Sequence, residues 1–592
     1  AGDFPVCAGA LRWHVPRSMA RLSRYFELVR NDAGEERLRV DLDGVALLRL
    51  ALTNKGTAFP LEERVALRLD GLLPPRITTL DEQLARVYAA FANEPSALAK
   101  YSYLRSLQER NEILFYALLE RHLDEMLPIV YTPTVGEAVQ KYNAIYQSAR
   151  GLSLSCENIE RAAAATKNCL LDDVRMVVAT DSSAILGIGD QGYGGVAIAI
   201  GKLALYTVAG GVSPYRSLPV GLDVGTDRRG LADRPEYLGV RRPRLKGDEY
   251  LAFMDQVVDA IHERWPRAIL QWEDLSKDAA FAVLERYRHK LPSFNDDIQG
   301  TGAVALAGML AACASQGRKL SDERVLVYGA GAGGAGVALA IREGMKREGL
   351  DDDEARARVF VLDSKGLLVE GRPMEEYKKT LAQPRERVAD WPADQGDAWG
   401  LLATAQHARA TALLGLSGQG GAFTEPAVRA LLSHAERPVV FALSNPTSAC
   451  EATPADILAW SDGRALVATG SPFDPVRVGD RDVSIGQGNN AFVFPGLGFG
   501  AILADASAIT DGMVSEAAYA LADYTRAHHA AEGLLYPPVS ELRAVSLEVA
   551  ARVLERAFAD GVARTIKVKP GQAAAYVRSK AWNARYVPFS RA

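Results

Sequence analysis

Two adjacent acid pairs, Glu273-Asp274 and Asp296-Asp297, together with Lys202 and Tyr131, are the residues of this chain whose types and settings suit chemistry. Neighbouring carboxylates are expensive to bury unless they bind a cation or pair with a base. Ala268–Trp272 reads as a strand that ends in the first pair. The second pair sits in Ser293-Phe294-Asn295-Asp296-Asp297-Ile298-Gln299-Gly300-Thr301-Gly302, between a charged helical segment and the small-residue run 303–314. Asn295 before it and Gly300 and Gly302 after it predict a turn whose backbone passes close to something. Successive parallel strands present their C-terminal ends at one sheet edge, which would gather up to four carboxylates. That is the hard-oxygen setting Mg²⁺ or Mn²⁺ prefers. The plain alternative is surface acids at loop starts.

Lys202 lies in the middle of an apolar helix, Val196–Val208, with Ala199, Ile200, Leu203, Ala204 and Leu205 around it. Burial disfavours an ammonium and lowers its pKa, as a lysine general base requires, whereas a lysine snorkelling to the surface would keep its ordinary value. Ile129–Tyr131 reads as a short strand after Pro128. Thr134 then caps a helix, with Glu137 completing a capping box. Tyr131 is therefore expected at a strand-to-helix junction, either as a functional group or packed on the helix behind it.

Two segments carry Gly-x-Gly-x-x-Gly. The first, Gly187–Gly192, follows the strand 174–180 and is weak by itself. The second, Gly329-Ala330-Gly331-Ala332-Gly333-Gly334-Ala335-Gly336, has its required context, the strand Arg324–Tyr328 before it and the helix Val337–Met345 after it. Gly329, Gly331, Gly334 and Gly336 are expected to cradle a pyrophosphate. The next strand, Arg358–Leu362, ends in Asp363, placed to meet an adenosine ribose. Ser364 and Lys365, with Lys378 and Lys379 downstream, are positioned to hold a 2′-phosphate, which puts NADP ahead of NAD. Asn445 and Asn490, at later strand ends, suit a carboxylate or carboxamide, or else bond their own turns.

Around these groups, 592 residues are too many for one ordinary core. The net charge of −5, with 48% hydrophobic and 24% charged residues, gives no case for nucleic acid or an anionic membrane. Cys7, Cys156, Cys169, Cys313 and Cys450 are scattered and fit neither a disulfide framework nor a zinc site. No charge-free apolar run predicts a membrane span and no secretory segment is expected. The cytoplasm is the expected setting. An organelle matrix, suggested by Arg12, Arg17, Arg21 and Arg24, is the weaker alternative. The fold class is α/β, with a helical N-terminal region (1–107), a substrate and metal domain (108–291), a Rossmann-type dinucleotide domain (301–565) and a basic, aromatic tail (566–592) that wraps a neighbouring surface.

Val130-Tyr131-Thr132-Pro133-Thr134-Val135-Gly136, Gly187–Gly192, Gly201-Lys202-Leu203, Trp272-Glu273-Asp274, Phe294–Thr301, Ser444-Asn445-Pro446-Thr447, Gly470–Pro475 and Gln487-Gly488-Asn489-Asn490 together resemble the malic enzyme family, in order, over about residues 54–560. The resemblance implies that Tyr131 is the general acid, Lys202 the general base and Asp296 its positioning partner. It makes Glu273, Asp274 and Asp297 ligands of Mg²⁺ or Mn²⁺. It places Asn445 on cofactor and substrate, and Asn489 and Asn490 on substrate. It also implies malate as substrate, pyruvate and CO2 as products with reduction of the dinucleotide, and a homodimer or homotetramer. One position departs. Ala184 stands where such enzymes commonly carry an arginine that clamps a substrate carboxylate. Malolactic enzymes, and some bacterial malic enzymes, similarly lack that arginine, so lactate is the alternative product. A catalytically impaired homologue that binds dinucleotide is a further alternative.

Overall fold

The computed structural model describes residues 21–30, 35–394, 398–565, 568–569 and 571–592. Cys7, Arg12 and Arg17 lie outside them. Arg21 and Arg24 are tied into the fold, the first 3.0 Å from Asp41 and the second donating to the Cys169 carbonyl at 3.2 Å.

Two parallel sheets organise the chain. The first has five strands in the spatial order Leu152–Ser155, Ser217–Asp223, Met176–Thr180, Ile269–Trp272, Ser293–Asn295, all parallel. Their near-continuous apolar sequences, such as Met176-Val177-Val178-Ala179, suit a sheet covered on both faces. Trp272 pairs with Asn295 across the last two strands. The two acid pairs therefore leave adjacent strands side by side, as the strand-end argument requires. The second sheet has seven strands, ordered Gly366–Leu367, Val359–Asp363, Val325–Tyr328, Ala412–Gly415, Val439–Ala442, Leu466–Thr469, Gly486–Gln487. All its pairings are parallel except that of Gly366–Leu367. Val325–Tyr328 is central and the chain departs from it in both directions, the doubly wound pattern whose switch point receives dinucleotides.

Between the sheets runs the joining helix, Thr301–Ser315, preceded by a π-helical turn at Asp296–Gly300. Together these make a stretch apolar and long enough to cross a membrane, yet 78% of it is buried inside the protein. Its small residues serve close packing. A Cβ on Gly302 would meet the Gly336 carbonyl oxygen at 2.7 Å, and a Cβ on Gly336 would meet the Ile298 carbonyl oxygen at 2.0 Å. The glycine-loop helix thus rests directly on the backbone of the acid turn. It spans Ala332–Arg347, beginning inside the loop rather than at Val337, because those glycines belong to its packed first turn.

Helices Leu80–Ala92, Ala97–Arg110 and Glu112–Arg121 form the expected helical layer. Ile129–Tyr131 is not a strand. Leu123–Val130 is a helix containing Pro128, and Tyr131 is its C-cap. Met126, Leu127 and Val130, buried at helical spacing, override the β-propensity of Ile129 and Val130. The capping box at Thr134 is also absent. Pro133 is the N-cap of Thr134–Gln140, no side chain caps it, and Glu137 pairs with Lys141 instead. The tail packs on the chain's own N-terminal region, where Phe589–Arg591 joins Glu36–Val40 as a parallel strand.

Gly336→Ala should lower stability by about 1–3 kcal/mol, because the added methyl overpacks against backbone that cannot rotate away. Gly331→Ala, with nothing within 4 Å of its built Cβ, should stay near wild type. Urea midpoints of the two variants check this, and equal midpoints would remove the packing argument.

Candidate active site

The lysine helix, Val196–Val208, is buried along its whole length, so Lys202 has no route to solvent and is 1% exposed. Gly201 permits this placement, since a Cβ there would meet the Val130 carbonyl oxygen at 2.7 Å. The Lys202 Nζ lies 2.9 Å from Glu273 Oε1 and donates a hydrogen bond to Asp296 Oδ2. It also sits 5.4 Å from the centroid of the Tyr131 ring and 4.4 Å from that of Phe494.

This corrects one expectation. Burial does work against the Lys202 ammonium, but the charges of Asp296 and Glu273 outweigh it and hold the pKa well above the ordinary lysine value. Tyr131 is 5% exposed, and burial pushes its phenol up. Tyr131 therefore keeps its proton, as a proton donor must.

Glu273, Asp274 and Asp297 each offer a carboxylate oxygen, and these atoms lie within 4.8 Å of one another. Asp297 Oδ2 accepts from the Asp274 N–H at 2.8 Å. Asp274 has φ of 53°, a backbone conformation L residues seldom adopt. Its carbonyl accepts from the Ala184 N–H at 3.0 Å and its Oδ1 from the Leu186 N–H at 3.3 Å. Asp274 Oδ2 is buried with no hydrogen-bond partner. Burial first, and then the neighbouring acid charges, raise all three carboxyls. Glu273 is pushed up to about 8, and Asp274 and Asp297 stand well above the usual range. Converging, desolvated oxygens with an orphan among them fit a hard divalent cation.

The Gly187–Gly192 loop borders this triad, since the Leu186 N–H just before it donates to Asp274 Oδ1. A Cβ on Gly187 would come 3.3 Å from the Asn445 carbonyl oxygen, so the loop meets the second half of the chain there. Asn445 is exposed beside it, with Oδ1 accepting from Ser471 at 2.7 Å. Asn490 bonds the acid turn. Its Nδ2 donates to Asp296 Oδ2 at 3.0 Å, to the Asp296 carbonyl at 3.2 Å and to Thr301 Oγ1 at 3.1 Å. Asn489 Oδ1 accepts from the Ala491 N–H at 2.9 Å, capping its own turn.

Two groups escaped the sequence reading. Gln271 Nε2 donates to Glu273 Oε2 at 2.7 Å, and Tyr206 OH donates to Gln271 Oε1. The Tyr206 bond fixes which way the Gln271 amide faces, and hence the free edge of Glu273. The signal was a lone amide inside the apolar strand Ile269–Trp272, two positions from Glu273 and so on its face.

At the second site, a Cβ on Gly334 would meet the Gly329 carbonyl oxygen at 1.7 Å, which fixes the tight turn of the glycine loop. Gly331 is the N-cap of the Ala332–Arg347 helix, whose N–H groups suit a pyrophosphate. Asp363 ends Val359–Asp363 as expected. Its carboxylate takes Arg372 at 2.6 Å, Lys378 at 3.1 Å and the Lys365 N–H at 2.9 Å. Against the pull of burial, those donors hold its carboxyl below the usual range. Of the two downstream lysines, Lys378 therefore reaches Asp363, while Lys379 points away, half exposed, to bridge Glu376 at 2.5 Å. Ser364 and Lys365 are exposed.

The family model "Malic enzyme, N-terminal domain" matches residues 108–288, and "Malic enzyme, NAD binding domain" matches residues 298–558. The chain is 47% identical over 527 residues to the NAD-dependent malic enzyme of Aeromonas hydrophila subsp. hydrophila, covering 89% of this chain and 93% of that protein. It is 47% identical over 521 residues to the NAD-dependent malic enzyme of Pseudomonas aeruginosa, covering 88% and 92%. Among solved structures, the Entamoeba histolytica malic enzyme is similar with a TM-score of 0.55 at 21% identity over 87% of this chain and 90% of that one, a likeness of fold alone. The Pyrococcus horikoshii malic enzyme has a TM-score of 0.50 at 25% identity over 77% and 89%.

The raised carboxyls give a pH signature. Without a cation they favour the folded state fully below the unfolded glutamate value of 4.5 and lose that contribution as pH rises through about 8 at Glu273. A cation must displace those protons, so its affinity rises over the same interval. The increase in Tm caused by Mn²⁺ should be larger at pH 8 than at pH 6 and should vanish in Asp297→Asn. An equal increase at both pH values would exclude the triad as the binding site.

Proposed function

The chain belongs to the malic enzyme family, and from that premise we propose that its buried centre converts malate, with NAD and a divalent cation, to pyruvate, CO2 and NADH. The observation that carries the reading is Lys202 held between Asp296 and Glu273, beside Tyr131 and three convergent carboxylates. Glu273, Asp274 and Asp297 hold the cation, whose Lewis acidity favours both loss of the substrate hydroxyl proton and the charge that builds up on decarboxylation. The glycine loop and Asp363 would hold the dinucleotide, which would supply the hydride acceptor.

The protein's own groups move the protons. A cation held by Glu273 would offset one of the two anions that hold the Lys202 ammonium, which would favour the neutral amine. Lys202 then takes the proton of the 2-hydroxyl, with Asp296 ready to pair with the ammonium so formed. Asn490, bonded to Asp296, keeps that carboxylate aimed at the lysine. Once CO2 has left, Tyr131 supplies the proton to C3, its high pKa ensuring that it is charged with one. The Phe494 ring, its centroid 4.4 Å from Lys202 Nζ, helps close the centre to water.

NAD replaces the NADP of the sequence reading. A 2′-phosphate at the end of Val359–Asp363 would face the Asp363 carboxylate, whereas a 2′-hydroxyl can donate to it. The relatives are also named NAD-dependent. Exposed Leu61, Val65, Leu72 and Ile77 near the N-terminal strands offer apolar surface for a second copy, in keeping with the expected homo-oligomer. The cytoplasm is the setting proposed for this activity.

Malate should drive growth of 340 nm absorbance with NAD and Mn²⁺ or Mg²⁺. Lactate formed without net NADH would overturn pyruvate as the product and give weight to Ala184. Lys202→Ala should reduce kcat by about 10²–10⁴-fold with NADH binding intact, and near-normal turnover would remove it as the base. Asp363→Ser should lower the ratio of NAD to NADP use, because it frees Arg372 and Lys378 to meet a 2′-phosphate. Lys379→Gln should leave that ratio unchanged, and the opposite pattern would put the ribose site elsewhere.

A further inference from the structure

The dinucleotide cradle is held from the metal-binding half of the chain. Helix Lys277–Tyr287 begins just after Asp274, and the Ser276 N–H donates to Ser183 Oγ at 2.6 Å, anchoring its start beside the acid triad. One turn into that helix, the Phe281 ring stacks on Tyr377, with centroids 4.4 Å apart and planes 11° apart. Tyr377 OH in turn donates to the Ala330 carbonyl at 2.9 Å, inside the glycine loop. A second connection runs alongside. Lys277 Nζ lies 2.6 Å from Glu375 Oε1, and Lys378 Nζ lies 2.8 Å from Glu375 Oε2 and 3.1 Å from Asp363 Oδ2. The short segment 375–378 thus touches both parts of the cradle, Ala330 and Asp363. Its other side touches a helix rooted at the cation ligands.

We propose that Phe281 and Tyr377 are positioning residues for the dinucleotide, and that through them cation binding at Glu273, Asp274 and Asp297 strengthens dinucleotide binding. The inference rests on the functional reading above. Asp274 is held in a left-handed conformation at the root of the helix, so an adjustment toward a cation is passed to the first turn that carries Lys277 and on to Phe281. Lys277 and Glu375 keep 48% and 36% of their side-chain surface, and exposed ion pairs contribute little. The ring stack and the bond to Ala330 therefore carry most of the coupling. A stacked pair of this kind is equivalent to about two- to tenfold in an equilibrium constant. Linkage makes the effect reciprocal, so NADH must tighten Mn²⁺ by the same factor.

The test is the Kd for NADH, read from its fluorescence, in the full chain with and without saturating Mn²⁺. Wild type should bind NADH about two- to tenfold more tightly with Mn²⁺. Phe281→Leu should bring that ratio close to one while its Mn²⁺ affinity without nucleotide stays near wild type. Tyr377→Phe, which keeps the ring and loses only the bond to Ala330, should lower the ratio part of the way. A ratio of one in wild type with both ligands bound normally overturns the proposal. So does a Phe281→Leu variant that weakens NADH equally in both conditions, the mark of a merely structural role. Wild type that binds neither NADH nor Mn²⁺ would instead defeat the functional reading, and this inference with it.

Discussion

A lysine ammonium buried between two carboxylates is the interaction on which the rest of the molecule depends. Lys202 is 1% exposed and Asp296 is fully buried. Breaking such a pair from one side strands a charge, at a cost of about 3–5 kcal/mol. The fold therefore has to bring three separate stretches to one point: the lysine helix, the end of Ile269–Trp272 and the turn after Ser293–Asn295. The parallel sheet does this through the pairing of Trp272 with Asn295. The second half of the chain adds Asn490, which bonds Asp296 from outside the sheet. The ion cluster is consequently a joint between the halves as well as the proposed reaction centre.

The turn Asp296–Gly300 has to satisfy opposing demands. It must aim Asp296 at Lys202 and Asp297 at the acid triad, then become the first turn of an apolar helix without a break. A π-helical turn does so, with Asn295 Oδ1 accepting from the Ile298 N–H at 2.9 Å. Gly300 is needed because a Cβ there would meet Asp296 Oδ1 at 2.0 Å. Gly302 and Gly336 then allow the glycine-loop helix to lie against the same backbone. The glycine loop is thus positioned relative to the acid turn by backbone contact, which is stiffer than contact through long side chains.

Much of this was legible beforehand. The strands ending at Trp272 and Asp363, the lysine helix and both glycine loops follow from local apolar runs and turn residues. The two acid pairs side by side follow from strand parallelism. The misreadings have local causes too. Ile129-Val130-Tyr131 has strand-like residue types, yet the buried spacing of Met126, Leu127 and Val130 is helical, and burial prevailed. Lys379 and Lys378 are adjacent in sequence, and only the orientation of one short helical turn decides that Lys378 reaches Asp363 while Lys379 faces solvent.

The sequence by itself determined which chemistry is present: acids at strand ends, a lysine in an apolar helix, a dinucleotide loop in its proper context. Those features depend on neighbours a few residues away, and short-range periodicity and turn chemistry record them. Only the tertiary structure decided how the groups are used. Lys202 is held charged by partners 71 and 94 positions along the chain, not made neutral by burial alone. Asn490 serves Asp296, and the C-terminal tail closes as a strand on the N-terminal region. Each of these depends on a contact between distant segments, where a residue's environment is set by packing and by the field of charges the fold assembles around it.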